Sequence, residues 1–371
     1  TGFRALILLA PVLVIQSVRQ EIMVGQNATD RARLKGYMWE SVILQLLEVN
    51  GFTEIVAVDG VRTRRDRNNF FEIQGRGTYH QIDCPCDYNH FIAFMNPIRL
   101  LGEVKFYSRP VKKDAVREFI GVLKDVHENY FVAQQRNAPT ERHTEVGAFF
   151  SANGFQAEAE KLAFAHNIKT VSHKTVALLE PLKQYMVTLE QGFLSTTECG
   201  SRGNQSDFVR LFRDCLRGKV GALEEFRERF HPADGFERVI EHLKERFERI
   251  RSNFVATTSG GALLHFVGSR TFPDELFART DSQKCRVYYY KENGLRYFYL
   301  TLTEDREERR FYFTPPVSLA KAAFYGKREA RSEKRRILKS MHITRRIDGL
   351  SRNLTLELDI DWLDAIEGTN E

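Results

Sequence analysis

The segment IRLLGEVKFY, residues 98–107, decides how this chain is read. It is apolar except for Arg99 and for an acid and a lysine set two residues apart. On an extended strand residues two apart share a face, so Glu103 and Lys105 project together while Val104 and Phe106 turn the other way, towards a core. An acid and an ammonium placed inside an apolar strand cost free energy unless they are paired or bound to a metal. A same-face ion pair on an edge strand is the plain alternative to a site.

Upstream, Asp83 ends a short strand candidate at 80–84 and brings a second carboxylate towards the same place. That set has a chemistry. Two carboxylates hold a hard divalent cation through oxygen. The ion polarises a phosphate and acidifies a bound water. A nearby lysine orients the water and offsets the negative charge that develops in the transition state.

Further upstream, residues 36–50 (GYMWESVILQLLEVN) form a helix stopped by Gly51. Its apolar residues nearly encircle it, which predicts burial on most sides. Glu40 is a carboxylate inside that apolar helix, to be explained by a partner or by a narrow polar strip shared with Glu48. A strand at 53–58 follows, then an arginine-loaded loop at 59–69. Downstream come a helix at 112–130, a strand at 145–150, a turn at 151–154, a helix at 156–166, a strand at 168–171 and a helix at 176–187. The alternation predicts an α/β fold, a mixed sheet with both faces covered.

With its neighbours added, the pattern resembles the PD-(D/E)XK, or restriction-endonuclease-like, nuclease superfamily, and within it the Mrr-like restriction endonucleases. WESVILQLLEVNGF resembles the first helix, QID at 81–83 the strand that carries the first acid, GEVKFY the Glu-x-Lys strand, and GAFFSANGFQAEAEKLAFAHNIKTVS the later strand–turn–helix–strand. The resemblance covers residues 36–175. It implies a restriction-endonuclease-like mixed-sheet core flanked by helices. It also implies Mg²⁺-dependent DNA cleavage, with Mn²⁺ able to substitute, by Asp83, Glu103, Lys105 and the auxiliary acid Glu40. The metal ligands would be Asp83, Glu103, Glu40 and the carbonyl of Val104. Asp87 is the alternative to Asp83, because the interval from Asp83 to Glu103 is long. A role in restriction or anti-phage defence, cytoplasmic and acting on double-stranded DNA, follows from the resemblance alone, as do a homodimer or larger assembly and a partner protein of a defence system. A repair or junction-cleaving nuclease, or a DNA-binding scaffold without hydrolysis, are its rivals.

For substrate contact, Arg62, Arg64, Arg65 and Arg67 occupy the loop at 59–69, where guanidinium groups suit phosphates bidentately. The net charge of +6 leans weakly towards a polyanion. A 42% hydrophobic and 28% charged composition is that of an ordinary globular protein, not a disordered or fibrous one. Five scattered cysteines suit a reducing compartment. The Cys84–Cys86 pair, with His80 and His90 near it, lacks a second pair to complete a zinc shell. The apolar run at 5–15 is too short to span a bilayer and reads as an element packed on the core or on a partner.

Three parts follow: an apolar N-terminal element (1–27), a nuclease domain (28–190) and a separate α+β domain (205–371) for recognition, partner binding or oligomerisation. In the last, 207–254 is helical, 286–291 and 295–302 form a hairpin around Asn293-Gly294, 310–313 and 354–360 are strands, and the basic run 327–339 is a helix with a solvated face.

Overall fold

The computed structural model describes residues 28–368, apart from 61, 90–95, 134–141, 200–201, 280, 318, 320–326 and 349. The apolar run at 5–15 and His90 lie outside the described residues.

Helix α1 (Ala28–Val49) begins earlier than its periodicity predicts. It stops where expected: Gly51 takes φ 83°, a conformation glycine adopts without a side-chain clash, and Asn50 Nδ2 donates to the Leu46 carbonyl. A five-stranded sheet follows, in the order β1 (Phe52–Glu54), β5 (Cys84–Tyr88), β6 (Ile98–Lys105), β7 (Thr144–Ser151) and β8 (Lys169–Ser172). β1, β5 and β6 run antiparallel, and β6, β7 and β8 run parallel. The parallel links pass through α2 (Lys113–Ala133) and α3 (Ala157–Ala165), as parallel strands require. A separate three-stranded sheet joins β2 (Thr63–Arg65), β3 (Phe71–Gln74) and β4 (Tyr79–Gln81).

Two predicted strands change form. The strand at 53–58 pairs only through Glu54, and Val56 beyond it is exposed. The candidate at 80–84 divides: Tyr79–Gln81 pairs in the small sheet, Cys84 starts β5, and Asp83 stands at the join. The helix predicted at 176–187 runs Glu180–Gly192 (α4), because Pro181 fits only a first turn.

One sheet face carries Val116, Phe119, Ile120, Leu123 and Val126 of α2 with Ala159 and Ala163 of α3. The other packs on α1. α1 is covered in turn by α4 and α5 (Gln205–Leu216), on which α6 (Ala222–Phe230) and α7 (Phe236–Glu248) pack, and Phe208, Leu211, Phe212, Phe226, Ile240 and Leu243 of these helices join its residues in one buried cluster. α1 is apolar nearly all round because it lies between a sheet and a second helical layer. The core therefore does not break between 190 and 205, where the change of composition suggests a boundary.

The helical stretch read at 207–254 is three helices separated at Gly218, Gly221 and Gly235, all with positive φ. Its apolar stripe runs on into a strand: Ile250 packs on the first core, whereas Phe254 belongs to β9 (Ser252–Thr258) and to the second. That second core fills a closed seven-stranded barrel in the order β10 (Leu263–Gly268), β13 (Phe311–Phe313), β12 (Leu295–Leu302), β11 (Ser282–Glu292), β15 (Leu350–Leu358), β14 (Ser340–Ile347) and β9. The hairpin forms as expected, with Asn293 and Gly294 at φ 49° and 76°. The basic run is helix α8 (Lys327–Leu338), and Arg336 pairs with Glu333 on its exposed side. No helix among the described residues is long and apolar enough to cross a membrane. The molecule is thus a mixed α/β protein with several sheets, one of them a closed barrel.

Candidate functional site

The antiparallel register of β5 on β6 sets the site. Cys84 pairs with Gly102, so the next step along both strands puts Asp83 opposite Glu103. The strands approach so closely here that a Cβ on Gly102 would lie 2.8 Å from the Cys84 Cβ and 3.0 Å from its carbonyl oxygen. A side chain at 102 would push the two acids apart.

Asp83 accepts a hydrogen bond from the Val104 backbone N–H at 2.9 Å, which fixes its carboxylate at the end of β6. Lys105 bridges the two acids: its Nζ donates to Asp83 Oδ2 at 3.4 Å and is ion-paired with Glu103 Oε1. Glu40 comes in from α1, buried, with Gln205 of α5 hydrogen-bonded to it. Its fate differs from that of Glu48, which is exposed and paired with Arg217.

The electrostatics follow from one buried and two partly buried acids sharing one ammonium. Burial, then the Asp83 charge, pushes the Glu103 carboxyl up to about 7 in spite of Lys105. Burial and the Asp83 charge push Glu40 well above the usual carboxylate range. Burial works against the Lys105 ammonium, but Asp83 and Glu103 outweigh it and the lysine stays charged.

Glu40 and Asp83 also line a cavity of about 330 Å³, with Gln81, Gln205, Arg65, Arg210 and Arg213 among the other lining residues. Gln205, Arg210 and Arg213 left no local signal in the sequence. They belong to a charged helix far along the chain, and only its packing on α1 brings them here.

The other candidates are placed as follows. Asp87 is held by Arg99 at 2.8 and 3.1 Å, towards the far end of β5 from Asp83. Arg62 is a correction to the arginine loop: it is buried and donates to Glu145 at 2.7 Å, so it is not presented to a phosphate. Arg64 is exposed, donates to Glu72 at 2.7 Å and lies over the Tyr79 ring. Arg67 is exposed, and Arg65 lines the cavity. Cys84 and Cys86 are buried in the core against α1, while His80 pairs with Asp125 at 2.8 Å. Among the described residues no three His, Cys, Asp or Glu side chains are disposed, as they stand, to hold a metal ion.

No family model matches this chain, and no curated protein matches it. The crystal structure of protein of unknown function AF1548 is similar over 56% of this chain and 96% of its own, at 16% identity and a TM-score of 0.27, too slight a likeness to argue from.

Proposed function

We propose that this protein is a metal-dependent phosphodiesterase, a DNA endonuclease with a restriction-endonuclease-like core, whose centre is Asp83, Glu103, Lys105 and Glu40. The observation that carries this reading is the convergence of three acids, Glu40 buried and Asp83 and Glu103 partly buried, around one lysine at the join of β5 and β6 beside α1. The order of elements supports it too: a helix, three antiparallel sheet strands, then a helix leading to a parallel strand.

The donor set suits a hard cation. The donors are all oxygen, and burial, with the Asp83 charge added to it, holds Glu40 and Glu103 partly protonated in spite of Lys105. Mg²⁺, or Mn²⁺ in its place, would be held by Asp83 and Glu103, with the Val104 carbonyl and Glu40 completing the set. Bound there, it would supply Lewis acidity and a water of lowered pKa. The chain's own residues do the rest. The Val104 N–H orients Asp83. Glu103 passes from protonated to ionised near neutral pH. Lys105, now bridging both acids, turns to the attacking water and the phosphate. Gln205 holds Glu40 in place. A role in restriction or anti-phage defence, and dimerisation to cut both strands, rest on the resemblance of the motifs.

The test is nicking of supercoiled plasmid with Mg²⁺, Mn²⁺ or EDTA. Metal-dependent nicking that is lost in Glu103→Gln supports the reading. Its absence under all three conditions refutes hydrolysis and leaves the rival, a DNA-binding scaffold of the same architecture, which the Lys105 bridge across Asp83 and Glu103 favours.

A further inference from the structure

The cavity beside the acidic centre has a divided lining. Glu40, Glu54 and Asp83 contribute negative charge, while Arg65, Arg210 and Arg213 contribute guanidinium groups. Arg213 is buried, only 8% exposed. One of its nitrogens, Nη2, meets Glu54 Oε2 at 2.5 Å, while its Nε and Nη1, closed off from solvent, have no hydrogen-bond partner among the described residues. Leaving guanidinium N–H groups buried and unmet costs free energy that an anionic acceptor would recover.

Arg65 enters from β2. Its Nη1 donates to the Asn69 carbonyl at 3.1 Å, and its Nη2 to those of Val56 at 3.2 Å and Ile55 at 3.4 Å. Carbonyls aim the group without neutralising it, and among the described residues no carboxylate pairs with it. Arg210 contributes less, because Glu225 at 2.7 Å and Asp214 at 3.8 Å already answer its charge.

We propose that this cavity is a phosphate subsite, in which Arg213 and Arg65 hold a backbone phosphate of the nucleic acid next to the acidic centre. The proposal rests on the hydrolytic reading of that centre. The acids repel an approaching phosphate, and guanidinium forks that line the same cavity supply the attraction that keeps the polyanion against them. A cavity of about 330 Å³ admits a phosphate with its sugar, not a base pair. The contact is therefore to backbone and indifferent to sequence. It also gives the helical layer after residue 200 a part in the site: α5 carries Gln205 to Glu40 and Arg213 to the substrate.

The full chain with a fluorescein-labelled DNA duplex in EDTA, read by anisotropy, tests this without cleavage. Arg213→Lys keeps a charge facing Glu54 and removes the fork. Duplex binding should weaken about tenfold, and inorganic phosphate should compete with the wild type and far less with the variant. Arg65→Gln, which breaks no ion pair, should also weaken binding and lower the log–log salt slope by about 0.9; it carries the test if Arg213→Lys fails to fold. Wild-type affinity in the folded variants, or phosphate competing equally with all of them, overturns the subsite. Nicking kinetics separate the two ideas. Nicking by Arg213→Lys with unchanged KM sinks the subsite alone. Fork-dependent binding in a wild type that never nicks sinks hydrolysis alone.

Discussion

Two of the places where this molecule buries polar groups do so in opposite ways. At the acidic centre three carboxylates share one ammonium, and burial, then the Asp83 charge, keeps Glu103 and Glu40 reluctant to ionise. At the seam between the layered half and the barrel, every partner is neutral. His173 Nε2 and His265 Nδ1 lie 2.8 Å apart, His265 Nε2 meets Asn253 Oδ1 at 2.5 Å, and Asn253 Nδ2 donates to the Leu46 carbonyl at 2.7 Å. Burial pushes both imidazoles down, His265 to about 4, so the chain stays uncharged. A neutral network, though His173 Nδ1 has no hydrogen-bond partner among the described residues, holds two bodies together, whereas an unbalanced charged one asks for a ligand.

The largest effect should come from cutting the chain. A fragment ending near Tyr185 contains every residue of the motif, yet it strips Phe208, Leu211 and Phe212 from α1 and exposes a helix built for burial. It should be insoluble or unfolded by circular dichroism. A soluble, cooperatively melting fragment would show that the acidic half stands without its second helical layer.

Next is Lys105→Ala, expected to lower nicking by roughly 10²–10³ while leaving the melting temperature within a few degrees. The same substitution removes the positive charge that eases Glu103, so Glu103 should hold its proton to still higher pH. Wild-type cleavage by this variant would take the centre out of the chemistry.

The two buried sets should also give stability opposite pH dependence. A carboxyl raised in the folded state keeps its proton there after the unfolded chain has lost it. With EDTA, the acidic centre should therefore lose stability as pH rises from about 4.5 through 7. A histidine lowered in the folded state leaves the unfolded chain binding more protons. The seam should lose stability as pH falls from 6.5 towards 4. Melting temperatures across this range should show Glu103→Gln flattening the alkaline limb and His265→Asn flattening the acid one, each by a few degrees. Mg²⁺ should flatten the alkaline limb in the wild type; if it does not, the acids are not waiting for a cation.

The smallest effect is expected at Arg67, exposed in the former loop: Arg67→Gln should lower the salt slope of duplex binding by about 0.9 at most. Arg62→Gln, by contrast, should act on stability rather than on binding, because it leaves Glu145 buried without its 2.7 Å partner. A variant at 62 that binds DNA poorly but melts as wild type would return Arg62 to the surface.

What the sequence determined alone is what local periodicity encodes. The period-two spacing of Glu103 and Lys105, the all-round apolarity of α1, the glycine stop at Gly51 and the Asn293-Gly294 hairpin each depend on neighbours a few residues away, so they were legible. The tertiary structure decided what depends on distant partners. Asp83 meets Glu103 through a strand register that a close contact at Gly102 permits. Glu40 is in the site because α1 packs on the sheet face against β1, β5 and β6, and Gln205 reaches it from α5. Arg62 looked like its loop neighbours and is buried, since Glu145 on another strand claims it. The barrel stayed hidden because β9, β10 and β14 gave no strand signal strong enough to be read, and closure depends on pairings such as β14 with β9 that no local pattern records. Pattern fixes which face of an element is apolar; only packing fixes what that face meets.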